Sequence, residues 1–286
     1  MKSSRNSIIA YCSIFIALTG AISSCSPSRE QMANETLEKA VELYTKRQYN
    51  SAKILLDSII FTYPDLKQIV RSSKDMMNVV YLTEQERNLQ FLDSLLNIRE
   101  AEVEPLLKYF QEEDPQASNP ILINKKQSVG SSFDRALIKA HTDRNGQFFI
   151  STHYTGTSPI HHYAVKAEVD ELYALSDTIT DDALNHSFSD GNEYWETIRF
   201  KNATDNGVGE FIASNADRKI RISFITPKGT GYKFLLTETD KQAISETYYL
   251  ATLLRETIHI KGQIRNVRTA LKHHRSASNN SAIIKK

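Results

Sequence analysis

Residues 88–110 read NLQFLDSLLNIREAEVEPLLKYF, and residues 250–271 read LATLLRETIHIKGQIRNVRTAL. In the first, Leu89, Leu92, Leu96, Arg99, Val103, Leu106 and Phe110 are separated by alternating threes and fours. In the second, Leu250, Leu253, Thr257, Ile260, Ile264, Val267 and Leu271 obey the same rule. Such spacing lays one apolar seam along one side of a helix, the heptad pattern of helices that pair. Each seam has one polar interruption, Arg99 or Thr257. Neither has a matching apolar surface nearby in sequence, and an apolar side chain left in water forfeits roughly 1.5 to 3 kcal/mol of burial. The two seams are therefore expected to bury each other. Helices that run out and back along one chain pair antiparallel, which puts Leu89 near Leu271 and Phe110 near Leu250. The expected arms are 83–113 and 241–274, a coiled-coil stalk on the order of 40 Å long at 1.5 Å per residue. Thr83 and Glu86 have capping-box spacing and would start the first arm. Pro105 lacks an amide hydrogen and should kink that arm or restart it. The Arg99 stem should pack in the seam, its guanidinium reaching a carboxylate such as Glu102 or Glu256.

Between the arms the period changes from helical to two. SFDRALIKAHTD, GQFFISTHYTG, HHYAVKAEVD, EYWETIRFKN, VGEFIASNAD, KIRISFIT and TGYKFLLTETD read as strands, with turn signals such as Asn145-Gly146 and Gly191-Asn192. Seven or eight short strands argue for an antiparallel β-sandwich over 128–240. Residues 114–127, with Pro115, Pro120, Lys125 and Lys126, read as the linker into it. The expected class is α+β, with the sandwich inserted between the stalk helices.

Ahead of the stalk, residues 33–82 read as a helical base. Leu37, Ala40, Val41 and Tyr44 recur at helical spacing, and Tyr49, Ala52, Leu55, Leu56 and Ile59 do so after a break at Lys46 to Gln48. Ala40, Tyr49, Ala52 and Pro64 resemble the small, small and proline positions of one tetratricopeptide repeat. The resemblance implies two helices in close approach at Ala40 and Ala52, with Pro64 stopping the second. Since one repeat cannot bury its own faces, a third helix from Leu66 to Tyr81 should cap it.

The first 24 residues have another character. Lys2 and Arg5 precede an apolar run from Ile8 to Leu18, and small residues lead to Cys25. That is the order of a secretory signal, and the run is shorter than the roughly 20 residues a membrane-spanning helix requires. Ile22-Ser23-Ser24-Cys25 resembles the lipobox of bacterial envelope lipoproteins. The resemblance implies cleavage after Ser24, a lipid on Cys25 and a membrane anchor there, with 25–32 as a tether. With Cys12 lost in the signal, Cys25 would be alone, so no internal disulfide could form. Ser26 to Arg29 lack an acidic export cluster, which favours the periplasm-facing side of the outer membrane.

The chain has 286 residues, 40% hydrophobic and 24% charged, a globular composition. Losing Lys2 and Arg5 with the signal takes the formal net charge from +1 to −1, which argues against a nucleic-acid partner. The region after Arg275, 275–286, reads as a disordered tail.

Several constellations carry residue types suited to chemistry. His141, His153, His161 and His162 fall on or beside the first strands, but their spacing matches no dense metal-ligand signature and adjacent histidines point to opposite faces. Asp190, Glu193 and Glu196 surround Trp195, yet a glycosidase pair needs two carboxyls facing across a cleft. No phosphate-binding glycine loop, nucleophile elbow or cysteine nucleophile is present in the mature chain. No catalytic, cofactor or metal residue is assigned; the one site residue is Cys25. The resulting expectation is a non-enzymatic envelope lipoprotein, a structural or adaptor protein with an envelope protein partner. The alternative is glycan or peptide binding by the sandwich through Tyr154, Tyr163, Tyr194 and Trp195.

Overall fold

The computed structural model describes residues 27–113, 115–128, 135–180 and 183–283. The signal segment and Cys25 lie outside them. The chain is α+β, and it divides into two compact units, 1–87 and 88–286.

In the first unit, α1 (Arg29–Thr45) opens on a capping box: the Gln31 amide donates to the Ser28 hydroxyl, and the Ser28 amide donates to the Gln31 side chain. It ends at Lys46, and Arg47 turns the chain in the left-handed region at φ 61°. Helix α2 (Tyr49–Thr62) follows and stops just before Pro64. Ala40 and Ala52 are both fully buried. Ala33, Ile59 and Ile69 form one apolar cluster, and Ala40, Leu56 and Val80 form another, with Tyr44, Tyr49 and Met77 against it. The residues from Ile69 to Val80 belong to α3 (Lys67–Leu107), which runs on into the second unit.

No helix starts at Thr83. The expected third helix and first arm are one continuous helix, in which the Thr83 hydroxyl donates to the Val79 carbonyl of its own helix. A capping box needs a break before it, and nothing here breaks the helix. Pro105 falls in its last turn, and the helix stops two residues later.

The second unit holds two antiparallel sheets. The expected linker 114–127 instead contributes a strand, for Phe110 lies in β1 (Phe110–Glu112) and β2 (Ile121–Asn124) pairs between β1 and β3. Pro120 precedes β2, where a missing amide costs no ladder bond. Then come β3 (Leu137–Asp143), β4 (Phe148–Gly156), β5 (Ala164–Val169), β6 (Leu172–Leu175), β7 (Asn185–Asp190), β8 (Glu193–Phe200), α4 (Val208–Ser214), β9 (Arg221–Thr226), β10 (Gly229–Leu235) and α5 (Glu238–Ile283). The larger sheet has the order β1-β2-β3-β4-β8-β7, the smaller β10-β9-β5-β6. One core joins them: Ile138, Ile150, Ile198 and Phe200 from the larger sheet meet Val165, Ile222 and Phe224 from the smaller, with Ile212 of α4 and Ile244 of α5.

The segment VGEFIASNAD, expected as a strand, begins with helix α4. Gly207 turns the chain at φ 79° just before it, and Val208 and Ile212 face the core four residues apart. Helix α5 starts three residues before the expected arm, where the Thr237 hydroxyl accepts the Asp240 amide. Its backbone stays helical to Ile283, through most of the expected disordered tail. Burial pushes the Asp240 carboxyl up, but Arg135, Thr237 and Gln127 outweigh it and hold it below the usual carboxylate value. Gln127 also donates to the Ile138 carbonyl and accepts the Ala140 amide, so this one cluster ties α5 to β3.

Candidate functional site

Helix α5 and the second-unit part of α3 are joined by ion pairs. Asp93 meets Arg268 at 3.2 Å, Glu100 meets Lys261 at 2.8 Å, and Arg99 reaches Glu256 at 2.7 Å and Glu102 at 2.9 Å. As the α3 partner advances from 93 to 100, the α5 partner retreats from 268 to 261, so these segments run antiparallel. At the sheet end, Phe110, Leu122 and Leu250 cluster with Val103, Leu106 and Leu254. Along α5, Leu250, Leu253, Thr257, Ile260, Ile264, Val267 and Leu271 are all buried. The Thr257 hydroxyl donates to the Leu253 carbonyl, which lets a polar group sit in the seam. A groove of about 410 Å³ between the helices is lined by Leu96 of α3 and by Ile264, Arg265 and Lys272 of α5, among others. Phe91 and Ile98, one heptad apart on α3, are left 64% and 54% exposed.

The histidines divide between the two faces of the larger sheet. On the core face, His162 donates from Nδ1 to Glu196 at 2.7 Å, and its Nε2 lies 2.9 Å from the Thr152 hydroxyl. Glu196 also accepts the amides of Ile160, His161 and His162. Burial alone would raise its pKa, but the bonds from His162 and these amides carry it down to about 2. Hydroxyl, imidazole and carboxylate thus stand in the order of a nucleophile, its base and the orienting acid. All three residues are buried, the His162 ring stacks on Phe224 at 4.6 Å, and none of the three lines any of the cavities described. A nucleophile sealed in a core meets no substrate, so the cluster is a lock between the two sheets.

On the outer face, the Ser151 hydroxyl lies between His141 Nε2 at 2.8 Å and His153 Nε2 at 2.9 Å, and His153 Nδ1 contacts Thr197. Burial holds both imidazoles below their ordinary pKa, His153 at about 3, and the charges of Lys139 and Arg199 add to it. Among the described residues no group of three His, Cys, Asp or Glu side chains could hold a metal.

Glu196 and Trp195, adjacent on β8, point to opposite faces. Asp190 and Glu193 pair at the exposed hairpin end, while Trp195 stacks on Phe188 at 4.7 Å, so Asp190, Glu193 and Glu196 do not form a carboxylate pair across a cleft at Trp195. Tyr154, Tyr163, Tyr194 and Trp195 do not make one exposed row: Tyr154 is buried, donating to the Ser158 carbonyl, and the other three are half-buried.

One cavity had no advance sign beyond its turn residues. Asn202, Ala203, Asn206 and Gly207 all take positive φ, and this loop walls a space of about 380 Å³ with Asp205, Glu210, Tyr248 and Arg255. Burial pushes the Asp205 carboxyl up. The run Asn-Ala-Thr-Asp-Asn-Gly is a turn signal in sequence, but its meeting with α5 is a tertiary event.

No family model matches the chain, and neither a curated protein nor a solved structure matches it. No described helix is long and apolar enough to cross a membrane.

Proposed function

We propose that this protein is a non-enzymatic lipoprotein of the bacterial cell envelope that acts as an adaptor for another envelope protein. In this reading Cys25 carries the lipid on the periplasmic side of the outer membrane. The tetratricopeptide-like helices of 33–82 and the paired helices, as a coiled-coil stalk, supply the interaction surface, and the two sheets form an inserted sandwich.

The observation that carries the adaptor reading is the pair Phe91 and Ile98. Asp93, Arg99 and Glu100 of α3 pair with α5, yet Phe91 and Ile98 are exposed, about 10 Å apart along the helix at 1.5 Å per residue. A paired helix keeps outward apolar groups at heptad spacing at a cost in solubility, which a partner would repay.

Two experiments test it. Cys25→Ala should abolish incorporation of labelled fatty acid and release the protein from the membrane phase in detergent partitioning; unchanged retention sinks the anchor. Cross-linking in intact cells should capture one stoichiometric envelope protein, and Phe91→Ser with Ile98→Ser should lose it while leaving thermal unfolding unchanged. Capture that survives both substitutions removes the proposed surface.

A further inference from the structure

Cross-strand register places three cations on the outer face of the larger sheet. Lys139 of β3 lies opposite Ser151 of β4, and Ser151 lies opposite Arg199 of β8. Lys201 is two residues beyond Arg199 on the same face, its ammonium 5.1 Å from the centre of the Phe149 ring. Lys139 and Arg199 are about 10 Å apart, two strand spacings. The next row holds His141, stacked on Phe149 at 4.7 Å, and the row on the other side holds His153 and Thr197.

Among the described residues, cations outnumber carboxylates on this face. Among the described residues none of Lys139, Arg199 and Lys201 has an ion pair within 4 Å, and the acid that faces them is Glu113, beyond the end of β1. Glu113 lies 3.7 Å from His141 Nδ1, too far for a hydrogen bond. Asp143, on the same face, is occupied by the amides of Asn145 and Gln147 and the side chain of Asn119. Burial disfavours a charge on both imidazoles, and neither can supply a negative counter-charge.

Two of these polar groups are also buried. Lys139 is only 5% exposed, and His141, 3% exposed, keeps a buried Nδ1 with no hydrogen-bond partner. A buried ammonium with no carboxylate in contact is costly and is normally paired or replaced. Beside this face, Phe149, Lys201, Ile121, Asn119 and Asp143 line a cavity of about 200 Å³.

We propose that this face binds an oxyanion group, a phosphate, sulfate or carboxylate, seated among Lys139, Arg199 and Lys201. The ligand supplies the counter-charge that the described residues do not. Arg199 offers the planar fork suited to such groups, and Lys139 and Lys201 offer point charges. The group has two possible sources, a free small anion or the acidic substituent of a glycan. Trp195 separates them: it lies on the same face, four residues along β8 from Arg199, about 13 Å away at strand rise. It is the one tryptophan of the chain, so its fluorescence reports that position alone. The site stands independently of the adaptor reading.

The test uses the full chain in detergent. Inorganic phosphate and sulfate should each raise the thermal midpoint above that in sodium chloride of equal ionic strength and should bind saturably in calorimetry. Lys139→Met keeps the packed stem and removes the charge; without added anion its midpoint should equal or exceed that of the parent, and phosphate should no longer raise it. Arg199→Gln, at a half-buried position, is the second variant, and should weaken phosphate binding at least about tenfold. Lys261→Gln with Arg268→Gln, on the helix pair, should bind phosphate like the parent. A glycan source predicts that a sulfated or uronate-bearing oligosaccharide changes Trp195 fluorescence and binds at least about tenfold tighter than phosphate; a free-anion source predicts equal affinity and unchanged fluorescence. Absence of saturable binding by all of these probes, or equal binding by the parent and both single variants, overturns the site.

Discussion

His162 and Glu196 share a 2.7 Å hydrogen bond that crosses from one sheet to the other: Glu196 belongs to β8 of the larger sheet, and His162 leads into β5 of the smaller. The same carboxylate takes three successive amides, from Ile160 to His162, so it fixes the chain where it changes sheets. Glu196→Ala strands those amides and the imidazole together. The expected loss of stability is about 3 to 5 kcal/mol, because several buried donors lose one acceptor together and each unsatisfied donor costs about 1 to 3 kcal/mol. Thr152→Val removes one neutral hydroxyl from the same cluster and should cost about 1 to 2 kcal/mol. Urea unfolding of the two variants measures both, and equal losses would contradict the lock.

Acid should unfold the protein in two stages. His141 and His153 have folded pKa values below their unfolded value of about 6.5, His153 at about 3. Below pH 6.5 the unfolded chain binds protons that the folded chain refuses, so stability falls as pH drops from 6.5 toward 3. Each such imidazole contributes a slope of up to about 1.4 kcal/mol per pH unit. Glu196, held at about 2, adds its loss only below about 4.5. His153→Gln should flatten the slope between pH 6 and 4 by about one proton, as read from denaturant midpoints against pH.

Arg47 holds a left-handed conformation that costs a side-chain-bearing residue about 1 to 2 kcal/mol. Its amide donates to the Tyr44 carbonyl and that of Gln48 to the Leu43 carbonyl, the paired bonds of a Schellman helix end. Arg47→Gly should therefore stabilise the first unit by about 0.5 to 1 kcal/mol after the added chain entropy of glycine. Arg47→Val should destabilise it, and a thermal midpoint that moves the same way for both would refute the account.

Ile264 sits in the buried seam of α5 beside Leu96 of α3. Ile264→Ala should cost about 2 to 4 kcal/mol. If the two helices stabilise each other, amide exchange should quicken in 88–107 and 250–271 together. Faster exchange in one segment alone would mean that they do not depend on each other.

The periodicities were legible because they extend over many residues. The seam from Leu250 to Leu271 rests on seven positions of agreement, the strands β3, β4, β5, β8 and β9 each lie within a segment of period two, and β10 begins one residue before its segment. The α+β class follows from that change of period alone. Short elements were not legible. Val208, Phe211 and Ile212 have helical spacing, but α4 is only seven residues long, too few for period to separate helix from strand. Residues 121–124 read as linker because a four-residue strand is specified by its partners β1 and β3.

What sequence determined by itself was which residues needed burial, because hydrophobic spacing is a local property of the chain. Tertiary structure decided which face each polar group met. Period two puts Trp195 and Glu196 on opposite sides of β8, but only the arrival of Ile160 to His162 makes one side a sealed core. Only the pairing of β3, β4 and β8 brings Lys139, Ser151 and Arg199 into one row. Charge balance is a sum over neighbours distant in sequence, and the fold chooses the neighbours.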